Sequence, residues 1–178
     1  MKNDFDKQHK QGIFGLNLPG ILAAILGAVG MFFPWWHFGI QIGNAEPSEI
    51  YPYLIDGAGA YMVGYKRSPT MMILTILLVV CILLILFSSL IKSRISIGLM
   101  AGSGVLILLA CWRFYERMKT VSEGYHMPVQ GAGTADYGGL AIYMVHNWFQ
   151  PGIYLAGAAG ILAILAAVFY KKFWLGFK

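Results

Sequence analysis

The chain has 178 residues, of which 58% are hydrophobic and only 12% charged, with a formal net charge of +5 and a mean hydropathy of +0.64. Soluble domains carry about 25% charged residues, so half the usual charge cannot clothe a water-facing surface and much of this one must face lipid. The composition excludes a soluble globular enzyme, and the positive balance is spread along the chain rather than gathered into the basic cluster that nucleic-acid binding needs.

A span needs about 20 mostly apolar residues, because the hydrocarbon core is roughly 30 Å thick and a helix rises about 1.5 Å per residue. Four stretches meet that need. The first runs over about 18–38, with Asn17 as its N-cap and Pro19 in the first turn, where a missing N–H costs nothing. It ends in Phe32-Phe33-Pro34-Trp35-Trp36-His37, which lacks the small residues of a signal-peptide cleavage site, so the helix is expected to stay. An outer loop of about 39–69 follows. Within this region Trp36 to Ile42 partly alternates, and Ala60 to Tyr65 is rich in strand formers bounded by glycine; both are expected strands. The second span, about 70–91, contains no charge. Lys92, Ser93 and Arg94 make a tight turn into the third span, about 95–115. The second outer loop, about 116–150, holds Leu140 to Val145, a third expected strand with a short interfacial helix as the alternative. Gly57-Ala58-Gly59 and Gly131-Ala132-Gly133 read as loop glycines without a phosphate-binding context. Pro151 opens the fourth span, about 151–170. The expected fold is an all-α membrane domain spanning 1–178: an antiparallel bundle of four transmembrane helices, with a small extracellular β-sheet from the two loops.

Orientation follows from lysine and arginine. Lys2, Lys7, Lys10, Lys92, Arg94, Lys171, Lys172 and Lys178 fall on the side of the termini and the turn, against Lys66, Arg67, Arg113, Arg117 and Lys119 on the loop side. Positive charge is retained in the cytoplasm. The termini are therefore expected inside, the loops outside, and the protein in the plasma (cytoplasmic) membrane. Cys81 and Cys111 sit about 10 Å apart in depth, counted at 1.5 Å per residue, too far for a disulfide. With no Cys-x-x-Cys, the sequence also argues against a quinone-linked thiol oxidase.

The expected spans contain no Asp, Glu, Lys, Arg or His. Ion paths and proton relays normally carry such groups, so a stand-alone pump, transporter or haem carrier is disfavoured. The interior hydroxyls of Thr75, Ser88 and Ser103 are expected to bond back to carbonyls a turn earlier. Helices in lipid associate through small residues. The expected seams are Gly20 and Ala24 on the first helix, Gly98 and Gly102 on the third, and Gly152, Ala156 and Gly160 on the fourth; the second helix offers bulk to lipid. Trp35, Trp36, Trp112, Trp148 and Phe149 gather at the outer boundary, as an interfacial belt or as anchors for a partner. His37, His126 and His146 lie on the loop side without ligand-type spacing, so no metal, no cofactor and no catalytic residue is assigned.

The Pro34-Trp35-Trp36 end of the first helix, the strand-forming first loop, the tight inner turn and the opening Pro151-Gly152-Ile153-Tyr154-Leu155 resemble the claudin-like tetraspan superfamily at the level of topology. The claudin signature places two cysteines in the first outer loop; this loop has none, so the disulfide and a cell-junction role are not implied. The resemblance implies a non-catalytic membrane scaffold or accessory subunit. Its partners would be membrane lipid and other membrane proteins or a second copy. The alternative is a small subunit of a membrane enzyme or transporter that uses the outer histidines for metal.

Overall fold

The computed structural model describes residues 16–40, 47–63, 66–136, 142–170 and 174–175. Five helices occur among them: α1 (Leu18–Phe32), α2 (Ala58–Val63), α3 (Pro69–Leu90), α4 (Arg94–Gly124) and α5 (Pro151–Val168). Three of these, α3, α4 and α5, are long and apolar enough to cross a membrane. The chain is thus an integral membrane protein, mostly helical, with a small antiparallel sheet.

The expected first span is shortened. Instead of 18–38, α1 covers 15 residues and ends at Phe32, with Phe33 extended; at 1.5 Å per residue that is about 22 Å, less than a full hydrocarbon core. Pro34 is the cause. It disfavours helical backbone at Phe33 and offers no N–H of its own. Beyond it the Trp35 N–H bonds Ile50 O at 2.7 Å, so the chain has already turned into the sheet. At its other end α1 starts as expected. Asn17 Oδ1 accepts from Gly20 N at 3.1 Å, while its amide donates to Ala166 O at 3.4 Å, fastening the start of α1 to the end of α5. Beside it the two-residue strand β1 (Leu16–Asn17) pairs with β7 (Trp174–Leu175).

Helix α4 departs in the opposite direction. Its 31 residues extend about 46 Å at 1.5 Å each, so it outruns the expected 95–115 and projects beyond any bilayer core. Ser93 caps it, accepting from Ser96 N at 3.1 Å. Its inward face continues unbroken from Met100 through Ile107, Ala110 and Phe114 to Met118 and Ser122. That periodicity explains why the helix does not stop at the membrane: the overhanging turns bury the same stripe against the sheet.

The four longer helices pack side by side, α1 against α5 and α3, and α4 against α5 and α3. The contacts are close where residues are small. A Cβ on Gly104 would stand 2.7 Å from Gly160 O, and one on Gly160 would stand 2.9 Å from Gly104 O. Gly30 faces Ala156 N and Gly152 O, each 3.0 Å from an added Cβ. Gly20 lies directly against Ser89 Oγ, and Ala24 and Ala156 are buried. Gly98 and Gly102 are a correction. Both face outward with nothing within 4 Å of an added Cβ, because the buried stripe of α4 runs through Ser96, Met100, Ser103 and Gly104. The α4 seam therefore passes through Gly104. Helix α3 has few buried positions and exposes Ile73, Ile76, Leu83 and Phe87.

The interior hydroxyls are not uniform. Thr75 bonds Met71 O at 2.8 Å and also Pro52 O at 3.0 Å, and Ser89 bonds Ile85 O at 2.7 Å. Ser88, expected to bond back, has a buried Oγ with no partner. Cys81 and Cys111 are both free.

A five-stranded antiparallel sheet lies on the loop side of the helices in the order β4-β3-β2-β6-β5. Its members are β2 (Trp36–Ile40), β3 (Ser48–Ile50), β4 (Ile55–Asp56), β5 (Gly131–Asp136) and β6 (Ile142–Phe149). The first and third expected strands appear as β2 and β6, each within or overlapping its expected bounds; residues 41, 42, 140 and 141 lie outside the described residues. Two expectations are overturned. Gly131-Ala132-Gly133 belongs to strand β5 rather than a loop, since small residues fit under Pro128, whose ring would touch a Cβ on Gly133 at 2.7 Å. Ala60 to Val63 lies in helix α2 rather than a strand, with 64–65 outside the described residues. Gly57, at φ +77°, turns the chain, and Gly59 N then bonds Ser48 Oγ at 2.5 Å, so tertiary contact overrides local strand preference.

Replacing Gly104 by Leu is expected to destabilise the protein by about 3 kcal/mol or more, because the side chain meets backbone rather than a movable side chain. Gly102→Leu should change stability by less than about 0.5 kcal/mol. Thermal unfolding in detergent measures both, and equal midpoints for the two variants would remove Gly104 from the seam.

Candidate functional site

Alternation in the sheet separates two faces. Trp36, Phe38, Ser48, Ile50, Ile55, Val145, Asn147 and Phe149 share the inner face by register, turned toward the overhang of α4. Trp36 is 2% exposed; its indole N–H donates to Val129 O at 3.0 Å, and its ring stacks on Phe38 at 5.9 Å between centroids. Asn147 donates to Pro128 O at 2.6 Å. A cavity of about 80 Å³ remains between this face and the end of α4, lined by Phe38, Ile50, Val121, Met127 and Tyr143 among others. It is narrow and almost wholly apolar.

The opposite face carries the chemistry. Asp56, Glu49, His37 and Trp148 are successive cross-strand neighbours on β4, β3, β2 and β6, so four strands place them in one row. His37 Nδ1 lies 2.8 Å from Glu49 Oε1, within hydrogen-bond distance. The imidazole stacks on Trp148, with centroids 4.1 Å apart and planes at 14°. Glu49 Oε2 is buried without a hydrogen-bond partner, and the Gly57 N–H donates to Asp56 Oδ1 at 3.0 Å. Nearby, burial pushes the Tyr51 phenol above its ordinary value, and the charges of Glu49, Tyr53 and Asp56 add to the effect. Tyr51 therefore stays neutral and serves as a hydrogen-bonding, amphipathic side chain.

Along β6 the same face presents Ile142, Met144, His146 and Trp148. Ile142 is 74% exposed, Met144 55% and Trp148 42%. About 26 Å of extended chain, at 3.3 Å per residue, separates Ile142 from Gln150 at the start of α5. The outer face of β6 thus carries apolar side chains beside a His–carboxylate pair. Among the described residues no group of three or more His, Cys, Asp or Glu is gathered as a metal would need, and no nucleophile bonds to His37.

The residues expected at the boundary are divided by the structure. Trp35 is 0% exposed and, like Trp36, lies where no partner can reach it; the two are core residues. Trp112 is exposed on α4. Phe149 is half-buried with its ring 5.5 Å from Tyr115, and Trp148 faces outward. Two of the three histidines are brought together, His37 and His146 lying one diagonal step apart on the outer face of β2 and β6. His126 occupies the turn after α4 at φ +50°, while His37 and His146 lie on the sheet. Ile142 and Met144 were not singled out from the sequence. The alternation Ile142-Tyr143-Met144-Val145-His146-Asn147-Trp148-Phe149 contained the signal, but which alternate set faces the core depends on the register with β2.

Replacing His37 by Ala removes the ring stack and the hydrogen bond to Glu49 together. The expected loss is about 1–3 kcal/mol, against less than about 0.5 kcal/mol for Thr134→Ala on the same sheet. Tryptophan fluorescence during unfolding reads both, and a wild-type midpoint for His37→Ala would contradict the pairing. No protein-family model matches the chain, and no curated protein matches it significantly.

Proposed function

We propose that the protein is a non-catalytic tetraspan that binds other membrane proteins, or a second copy of itself, through the outward face of its sheet. The observation that carries this reading is the row Ile142, Met144 and Trp148, exposed on the outer face of strand β6. Apolar side chains held in a row on a soluble face mark interaction sites, and tryptophan is enriched among residues that dominate binding energy. In this reading α1 is the fourth span. Leu18, Leu22, Ile25, Val29 and Phe32 are all exposed at helical spacing, a stripe suited to lipid, and the extended residues on either side make up the missing length. The claudin-like resemblance belongs to the same proposal. So does the placement of both termini in the cytoplasm of the plasma membrane with the loops outside, which rests on the positive-inside rule. An accessory subunit of an enzyme or transporter would use the same face, and the identity of the recovered partner separates that case.

Changing Ile142, Met144 and Trp148 together to Ser leaves the core face intact and should lower partner or self-association at least about 30-fold, the equivalent of 2 kcal/mol for a buried anchor. Cross-linking in membranes followed by detergent purification measures it; unaltered association would sink the proposal. For orientation, a cysteine at Thr134 should react with a membrane-impermeant thiol reagent on intact cells, and one at Ser93 should not, after replacement of Cys81 and Cys111. The reverse pattern would invert the topology.

A further inference from the structure

At the end of the bundle opposite the sheet, the α3–α4 turn and the end of α5 enclose an open groove of about 930 Å³. Lys92 and Arg94 stand on one side. Ile97 forms the wall below them, and Val168, Phe169 and Tyr170 form the other side. The two walls differ in chemistry: Lys92 and Arg94 flank the turn, Ile97 lies one turn into α4, and Val168, the last residue of α5, is exposed.

The charge at this groove is one-sided. Among the described residues every Asp and Glu (Glu49, Asp56, Glu116, Glu123 and Asp136) belongs to the loop side of the molecule. The salt bridges there are His37–Glu49 and Lys119–Glu123, so no described carboxylate neutralises Lys92 or Arg94. The starts of α1 and α4 and the ends of α3 and α5 contribute opposite partial charges of about half an elementary charge each, which largely cancel. Among the described residues, the charge left at the rim is that of the two side chains.

We propose that this groove binds one anionic phospholipid of the adjoining leaflet. Its phosphate lies against Lys92 and Arg94, and the upper part of an acyl chain lies on Ile97 and Val168. Basic pockets between helices at a membrane surface attract anionic headgroups, each cation contributing about 1 kcal/mol, and guanidinium groups pair with phosphate through two parallel hydrogen bonds. The volume lies within the usual range for ligand sites, about 300–1,000 Å³. The apolar wall distinguishes a lipid from a free phosphate ester, which would leave Ile97 and Val168 uncovered. The site is independent of the sheet face and needs only that the helices cross a membrane.

The full chain, purified in neutral detergent, is offered equal amounts of phosphatidylglycerol and phosphatidylcholine, and retained lipid is read by native mass spectrometry. About a 30-fold preference for phosphatidylglycerol is expected, the equivalent of 2 kcal/mol. It should fall to about parity in Lys92→Gln/Arg94→Gln and persist in Lys66→Gln/Arg67→Gln on the loop side. Equal retention by the wild type, or an unchanged preference in the first double variant, overturns the proposal. Glycerol phosphate competing as well as the lipid also overturns it, in favour of a free phosphate ligand. Because that variant can mis-insert, a photoactivatable phosphatidylglycerol is applied to the wild type as well. Cross-links concentrated in peptides spanning 92–97 and 167–170 support the site, and labelling spread evenly over the helices refutes it.

Discussion

The junction built by Pro34, Trp35 and Gly152 governs the rest of the molecule. Pro34 ends α1 and leaves its carbonyl to accept from Gly152 N at 3.1 Å. Trp35 is then bonded on three sides: its indole N–H donates to Gly30 O at 2.9 Å, its backbone N–H to Ile50 O, and its carbonyl accepts from Gln150 N. The ring meets Phe114 of α4 edge-on at 5.1 Å. One residue thus ties α1, α4, β3 and the entry to α5. Gly152 is required there because a Cβ would stand 2.5 Å from both Phe33 O and the Trp35 ring. Buried indoles need a partner for their N–H, and here that partner is a carbonyl freed by the end of α1.

From this junction the sheet acquires its register and therefore its faces. With Trp36 opposite Phe149 and Ile50, alternate residues fall toward α4 and the others toward water. A slip of one position would exchange the faces, burying His37 and Glu49 while exposing Trp36 and Val145. The long α4 supplies the floor, so the outward face is free of packing duties and can carry exposed apolar groups.

The two ends of the bundle are held differently. At the loop end, backbone hydrogen bonds and aromatic packing dominate. At the turn end, Asn17 spans α1 and α5, and midway along the helices glycine contacts such as Gly104 with Gly160 bring α4 and α5 together. In lipid there is no hydrophobic force between helices, so close backbone approach and a few interior hydrogen bonds must supply the association. The positive charge at the turn end is correspondingly free of structural partners among the described residues and faces the bilayer surface.

The sequence by itself determined the membrane class, the cap at Asn17, the first-turn proline Pro151 and the α3–α4 turn. These are properties of hydropathy, capping chemistry and chain length, all local. It also pointed to strands at β2, through partial alternation, and at β6, through strand-forming residues between glycines. Tertiary structure decided what local rules could not. Gly102 and Gly104 are equivalent as glycines on an apolar helix, and only the phase of α4 relative to α5 selects Gly104. Trp36 and Trp148 are equivalent as boundary aromatics, and only the pairing register buries one and exposes the other. The loop containing Ala60 became a helix because Ser48 takes the Gly59 N–H, and α4 ran past its apolar segment because the sheet gave its inward stripe something to bury. Packing partners distant in sequence fixed each of these, and a single strand or helix read alone contains no record of its partner.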